Sequence, residues 1–341
     1  MGVVYTGLDV GSNSCHVVAL DKDGTVVADR KFLTSETNLI AAVETLQGEV
    51  RVHLEASELT GWIRSVLQPH VARVVVSHPK TNAWITKDPL KRDQRDAFKL
   101  ADLLRMNRVH EVYYPATDDR RLFKQLVQHY EDLTRSQAQL KVRIKARLRQ
   151  QGLIVRGDAI YRPMHRERWL QPLSSPLMRE AIQQLYGLLD RTHEAQQAAR
   201  GLLRREATRY VEIARFMGVP GVGLIGACRF SAYVQTPHRF STKRKLWRYC
   251  RLGITDRPSD GKPLGYRALD WSGNGCLKDR TRTAFLGAMR ARTDNVLKRT
   301  YRASLAHTQN PVHARLTTQR KLVAMLRAMW KGGTAYQDTT G

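Results

Sequence analysis

The chain has few cysteines, no long apolar run and, beyond its first quarter, a shortage of acid. Its four cysteines, Cys15, Cys228, Cys250 and Cys276, lie far apart with no close pair. That spacing fits neither a disulfide framework nor a zinc knuckle, so they are expected to be reduced and mostly structural. No apolar stretch approaches the roughly 20 residues needed to span a bilayer, and the N-terminus lacks the basic-then-apolar order of a secretion signal. A soluble, cytoplasmic protein is expected. Acid is outnumbered, with 31 Asp and Glu against 57 Lys and Arg, for a formal charge of +26. The imbalance is uneven: residues 1–90 hold 8 basic and 10 acidic residues, net −2, which leaves 49 and 21, net +28, for the rest. An excess of this size favours a polyanionic partner, nucleic acid or else an acidic membrane surface, gripped mainly by the later part.

At 341 residues the chain is long enough for two or three domains. Short β-rich runs at Val3 to Val10, Cys15 to Leu20 and Thr25 to Arg30 are separated by the turn sequences Gly11-Ser12-Asn13-Ser14 and Asp21-Lys22-Asp23-Gly24, which predicts a three-strand meander. A helix near Thr37 to Leu46, a strand Val50 to Glu55, a helix around Gly61 to Leu67 and a strand Arg73 to Ser77 come next. The order βββαβαβ is that of an RNase H core. Ala97, Leu100, Ala101 and Leu104 recur at helical spacing and predict an amphipathic helix over Asp93 to Arg105.

Residues Arg120 to Gln151 read as a long basic helix, and Gly152 to Pro176, with Pro163 and Pro172, as an irregular connector. The helical stretch Leu177 to Met217 carries Leu185, Leu188, Thr192, Ala195, Ala199 and Leu202 at alternating spacings of three and four, as in a coiled-coil seam. A helical hairpin within one chain and a dimerisation arm both suit that pattern. Two turn-like stretches, Arg257 to Lys262 and Asp270 to Gly275, precede basic helices at Leu277 to Arg302 and Thr317 to Lys331, and Gly332 to Gly341 reads as a frayed tail. The expected organisation is an α/β domain over 1–118, a basic helical or coiled-coil region over 119–215, a mainly α domain over 216–331, and a tail.

Asp9 stands near the end of the first strand and Glu55 ends the fourth. In an RNase H arrangement those strands are neighbours, so both carboxylates converge on one sheet edge. Asp93 and Asp96, three apart on a helix, share one face and can join them. Four carboxylates held together repel strongly, and divalent cations relieve that repulsion; Mg²⁺ suits because it prefers oxygen and keeps waters and substrate phosphate in its shell. Two such ions can activate a nucleophile and stabilise a leaving phosphodiester oxygen. Glu58, Asp88 and Asp102 are decoys, Asp102 lying about two and a half turns beyond Asp93 on the opposite helix face.

Gly7-Leu8-Asp9-Val10-Gly11-Ser12, the strand-end Glu55 and Lys91-Arg92-Asp93-Gln94-Arg95-Asp96-Ala97 resemble the DEDD signature of the insertion-sequence-110 (IS-110) transposases, whose first domain is similar to the junction resolvase RuvC. The resemblance covers nearly the whole chain. It implies a RuvC-like, RNase H-like N-terminal domain in which Asp9, Glu55, Asp93 and Asp96 bind Mg²⁺. It also implies a C-terminal serine that attacks DNA covalently. Ser259, in Pro258-Ser259-Asp260-Gly261-Lys262, matches that serine best, and Gly273-Asn274 matches a later Gly-Asn pair; Asp260 stands where the pattern has glycine, so Ser272 is kept in reserve. Relatives work as oligomers, dimers or tetramers, and use a noncoding guide RNA of their own element to choose DNA. RNA and a second copy of the chain are therefore implied partners beside DNA.

Gly218-Val219-Pro220-Gly221-Val222-Gly223 resembles the turn of helix-hairpin-helix DNA binders, in which Gly221 and Gly223 would let backbone amides approach phosphate. C-terminal to that turn stand Arg229, Arg239, Lys243, Arg244, Lys245, Arg248 and Arg251, with Trp247 and Tyr249 interleaved, and a nucleic-acid surface is the better reading of such a stretch. A hydroxyl nucleophile needs a base or metal and cations for the developing charge, and Lys262, Lys278 and Arg280 are placed to supply the latter. Three rivals compete. An actin-like phosphotransferase shares Asp9-Val10-Gly11-Ser12 but needs a later Asp-x-Gly-Gly-Gly loop, which the sequence lacks. A RuvC-like structure-selective nuclease has no use for the long basic half. A non-catalytic nucleic-acid-binding protein needs the charge but not the acids.

Overall fold

The computed structural model describes residues 2–79, 93–115, 118–259 and 262–338. The chain divides into two compact units, Met1–Asp118 and Asp119–Gly341. The first opens with β1 (Val3–Val10), β2 (Ser14–Leu20) and β3 (Val26–Leu33), then α1 (Glu36–Glu44), β4 (Glu49–Glu55), α2 (Thr60–Leu67), β5 (Arg73–Ser77) and α3 (Asp93–Arg105). Its five-stranded sheet has the order β3-β2-β1-β4-β5. β1, β2 and β3 are antiparallel neighbours, while β4 runs parallel to β1 and β5 parallel to β4. The element order is the one the hydrophobic alternation predicts.

Strand alternation gives the sheet two different faces. Val4, Leu8, Val17, Val52, Leu54 and Val76 point to one, where they pack on Leu39, Val43, Ile63 and Leu67 of α1 and α2. Each fully buried Leu or Ile there contributes roughly 1.5–3 kcal/mol. The opposite face carries α3, seated through Ala97 and Ala101 on Val18 and Leu20. Gly7 lets that helix lie directly on β1: a Cβ at this position would stand 1.9 Å from the Ala97 carbonyl oxygen. His53, fully buried, ties the same helix to β4; its Nδ1–H donates to the Leu100 carbonyl at 2.7 Å, and its Nε2 accepts from the Ser77 hydroxyl at 2.8 Å. Burial holds this imidazole neutral by lowering its pKa.

The second unit is mostly helical. α4 (Asp118–Gln150) and α6 (Pro176–Ala207) are long, and α5 (Pro163–Leu170), preceded by a 3₁₀ turn at Ala159–Tyr161, fills what the sequence suggested was an irregular connector. Leu140, Ile144 and Leu148 of α4 pack on Ile182, Tyr186 and Leu189 of α6. The side chain of Gln137 bonds to Gln196 farther along, so the two helices run antiparallel as a hairpin within the chain. The face α6 buries is Ile182, Tyr186, Leu189, Ala199, Leu203 and Ala207. It lies largely one residue off the seam read from the sequence, in which Leu188 and Leu202 are exposed.

Beyond lie α7 (Val211–Met217), α8 (Leu224–Val234), α9 (Lys243–Tyr249), a hairpin of β6 (Ile254–Ser259) and β7 (Lys262–Leu269), then α10 (Gly275–Arg290), α11 (Val296–Thr308) and α12 (Pro311–Gly332). Three differences from the sequence reading stand out. The stretch around Ser259 belongs to a β-hairpin rather than a loose turn. The helix expected over Leu277 to Arg302 is two helices, because the Asn295 side chain caps α11 by accepting from the Leu297 and Lys298 amides. The residues after Gly332 are not frayed throughout: Tyr336 packs on the core and Asp338 pairs with Arg299 at 2.6 Å.

Candidate functional site

The α3 face of the sheet collects the polar chemistry of the first unit. Asp9 pairs in register with His16, and His16 with Lys31; on the other side Glu55 pairs with Ser77. The β1–β4 register runs through Gly7–His53 and Leu8–Leu54, so Asp9 and Glu55 are the next residues of these two parallel strands. Lys31, His16, Asp9, Glu55 and Ser77 thus form one row across five strands, all on the face that α3 covers. Asp93 and Asp96 occupy the first turn of α3.

Their mutual repulsion is felt at Asp9. Its carboxyl is pushed up to about 6, first by burial and then by the charges of Asp96, Asp93 and Glu55. Asp93 moves the other way: the Lys31 ammonium, 2.8 Å from its Oδ2, holds it below the ordinary carboxylate range. Beside them Asp29 is also held down, by hydrogen bonds from His16, at 2.7 Å, and from Gln94. The four predicted acids therefore share one field. Among the described residues, however, no three His, Cys, Asp or Glu side chains stand close enough to hold one metal ion. Of the decoys, Asp102 is occupied by Arg105 at 2.6 Å, and Asp88 lies outside the described residues. Sequence reasoning missed Lys31, His16 and Asp29, whose place in the row depends on strand pairing that no local pattern encodes.

In the second unit the turn between α7 and α8 holds Gly221 at φ +82°, where a Cβ would meet the Ala284 carbonyl oxygen of α10 at 2.0 Å. Gly221 thus has a helix-packing role, while Gly223, the N-cap of α8, faces open space. Lys243, Arg244 and Lys245 are exposed on α9. Arg229, counted from sequence among the surface cations, is instead 3% exposed and pairs with Glu131 at 2.7 Å. Glu131 also accepts from the Tyr233 hydroxyl at 2.5 Å and from Cys276 Sγ at 2.7 Å. This buried hub ties α4 and α8 to the start of α10 and leaves the Cys276 thiol pushed up to about 12 by burial and by Glu131. Lys278 lies 4.6 Å from the centre of the Trp271 ring, and Arg280 is half-buried on the same helix.

The two serines are placed differently. Ser272 donates its hydroxyl to Asp270 Oδ1 at 2.5 Å, and its amide donates to the same oxygen at 2.8 Å, closing the turn before α10. With Arg248 paired to its other oxygen, Asp270 is held down at about 2. Ser259 ends β6, paired in register with Lys262, at the tip of the hairpin.

No curated protein matches the chain. Two family models do: one for DEDD transposases of the IS110 type, described as Transposase, over residues 6–152, and one described as Transposase IS116/IS110/IS902 family over residues 213–302. The first span takes in Asp9, Glu55, Asp93 and Asp96; the second runs from α7 through the β6–β7 hairpin into α11, with both serines. The chain belongs to the IS110 family of transposases, and its work is DNA transposition.

Proposed function

We propose that the chain cleaves and rejoins DNA strands with the carboxylates Asp9, Glu55, Asp93 and Asp96 of an RNase H-like first unit and with Ser259 of the second as nucleophile. The observation that carries this reading is the common field of the four acids, which adds to the larger effect of burial in raising the pKa of Asp9. Supporting it are the strand order β3-β2-β1-β4-β5 and the helix that α3 lays across β1 to bring Asp93 and Asp96 to the ends of β1 and β4. The donor set consists of hard oxygens and fits Mg²⁺ in kind. Drawn closer together than the described geometry places them, Asp9, Glu55, Asp93 and Asp96 would hold it, and when bound it would activate a hydroxyl and stabilise a leaving phosphodiester oxygen. Lys31, paired with Asp93 Oδ2 at 2.8 Å, would yield that oxygen to the cation.

Ser259 acts from the tip of the hairpin, with Lys262, Lys278 and Arg280 as the cations that meet charge developing on phosphate. Gly223, Lys243, Arg244, Lys245 and Arg248 bind the nucleic-acid backbone, with Gly221 holding the turn that presents Gly223. A guide RNA and further copies of the chain, as a dimer or tetramer, complete the working particle. The exposed Leu188 and Leu202 of α6 leave an apolar stripe for such contacts.

The test is strand cleavage and transfer by purified protein with the element's DNA and RNA in Mg²⁺. Asp9→Ala and Glu55→Ala are expected to abolish cleavage while DNA binding persists. Ser259→Ala is expected to remove any protein–DNA adduct, and Ser272→Ala to leave it in place. Normal cleavage by Asp9→Ala, or an adduct that survives Ser259→Ala and vanishes with Ser272→Ala, overturns the corresponding assignment.

A further inference from the structure

At the root of the β6–β7 hairpin, between α9 and α12, lies a half-open hollow of about 500 Å³. Arg244, Lys245, Arg248 and Arg320 line it together with Trp247 and Ile254. Arg320, on the C-terminal helix, is the residue that no sequence pattern connects with the others. It is half-buried and locked from two sides: its Nε–H donates to the Leu252 carbonyl at 2.7 Å, and its own carbonyl accepts the Trp247 indole N–H at 2.9 Å. Burial lowers its pKa. Among the described residues no carboxylate pairs with Arg320, Arg244 or Lys245, and only Arg248 has an acid, Asp270. A half-buried guanidinium whose one side-chain hydrogen bond among the described residues goes to a backbone carbonyl is costly, and an incoming anion offsets that cost. Its remaining N–H groups form a fork that can donate to two phosphate oxygens at once.

We propose that this hollow is a phosphodiester-binding subsite for the DNA strand that runs along the hairpin. The inference rests on the reading of the hairpin as the strand-transfer element. Ile254, in the wall of the hollow, and Ser259, at the tip, are the first and last residues of β6. Five residues at about 3.3 Å each separate the two points by roughly 17 Å. At about 3.4 Å per nucleotide step that is on the order of five nucleotides of duplex. The hollow therefore grips the backbone about that far from the phosphate presented to Ser259, and sets which phosphate reaches the tip.

Binding of a short DNA duplex in EDTA, where no cleavage occurs, tests this apart from catalysis. Arg320→Gln keeps a donor for the Leu252 carbonyl and removes the charge. It is expected to lower affinity roughly tenfold and to reduce the slope of log K against log salt by about 0.9, one phosphate contact. Lys245→Gln, a change at an exposed side chain, is expected to move the slope in the same direction. A single neutral methylphosphonate placed on the order of five nucleotides from the joining phosphate is expected to weaken the wild type and to leave Arg320→Gln unaffected. An unchanged slope in both variants overturns the subsite. So does a methylphosphonate effect equal in wild type and Arg320→Gln at every position, and a sensitive position found only in RNA overturns the assignment to DNA. Failure of cleavage with intact binding effects breaks the proposed strand-transfer reading instead.

Discussion

Two aspartates show how differently the two units use charge. In the first unit Asp9 is pushed up to about 6, first by burial and then by the charges of Asp96, Asp93 and Glu55. In the second, Asp270 meets Arg248 and the Ser272 hydroxyl and amide, and is held down at about 2. One region concentrates like charge at a cost to its own stability, which is a feature of sites built to receive a cation. The other uses a single acid to fix a turn and one arginine within a surplus of positive charge. Structure is weakened where chemistry is expected and reinforced where substrate is proposed to bind. Acid and base are therefore expected to fail separately when they are altered.

The largest break in that comparison is expected from Gly7→Ala. The new methyl would collide with the Ala97 carbonyl oxygen of α3 and force the helix off β1. A backbone clash of this kind costs about 3 kcal/mol, and it moves Asp93 and Asp96 away from Asp9. Cleavage should disappear while DNA binding, proposed above to depend on the other unit, remains. Hydrogen exchange should show the α3 amides opening first; wild-type cleavage by this variant would mean that the helix does not position the acids.

Asp9→Asn should abolish cleavage and yet stabilise the fold. The folded-state pKa is raised from 3.8 to about 6, so the ionised carboxylate is penalised when folded. The penalty is absent below about pH 4, where Asp9 is protonated in both states, grows as pH rises, and is complete above about 6. After discounting for solvent screening it amounts to about 1–2 kcal/mol. Urea unfolding in EDTA should therefore place Asp9→Asn above the wild type at pH 7 and level with it near pH 4. A variant less stable than wild type at pH 7 would show that burial and the neighbouring acids together do not penalise the Asp9 carboxylate.

The first unit was legible because its signals are local. Val3 to Val10, Arg73 to Ser77 and Asp93 to Arg105 match the observed elements end for end, since alternation and helical spacing are written in adjacent residues. The second unit was less so. Pro258, Ser259, Asp260 and Gly261 dominate their stretch as turn formers and hide the two strands that flank them. The break before Val296 does carry a signal in Asp294-Asn295, a good cap sequence that the basic pattern around it obscures. On α6 the apolar residues populate two adjacent stripes, and only the partner α4 decides that Tyr186 and Leu203 face inward while Leu188 and Leu202 stay out. Arg320 and Lys31 were invisible for a plainer reason: each owes its role to a contact tens of residues away.

Asp270→Asn gives the smallest expected effect and the opposite sign. The folded-state pKa lies below the ordinary 3.8, at about 2, so the carboxylate's contribution is present above about pH 4 and is lost as pH falls through 2. Because Arg248 is 66% exposed, solvent screens the pair and the contribution is about 1 kcal/mol. Asn at this position still accepts from the Ser272 amide but no longer neutralises Arg248. At pH 7 the variant should be less stable than wild type by that amount, and near pH 2 no different. Ser272→Ala should reproduce only part of the loss, since the Ser272 amide and Arg248 remain bound to the carboxylate. The freed Arg248 should also steepen the salt dependence of DNA binding by up to about 0.9 in slope, one further phosphate contact. The same chemical change, Asp to Asn, would then raise stability in one unit and lower it in the other at a single pH. If Asp270→Asn proves neutral at pH 7 and leaves the salt slope unchanged, the Arg248 pair is fully solvated. The turn before α10 would in that case be held by the hub of Glu131, Arg229, Tyr233 and Cys276 instead.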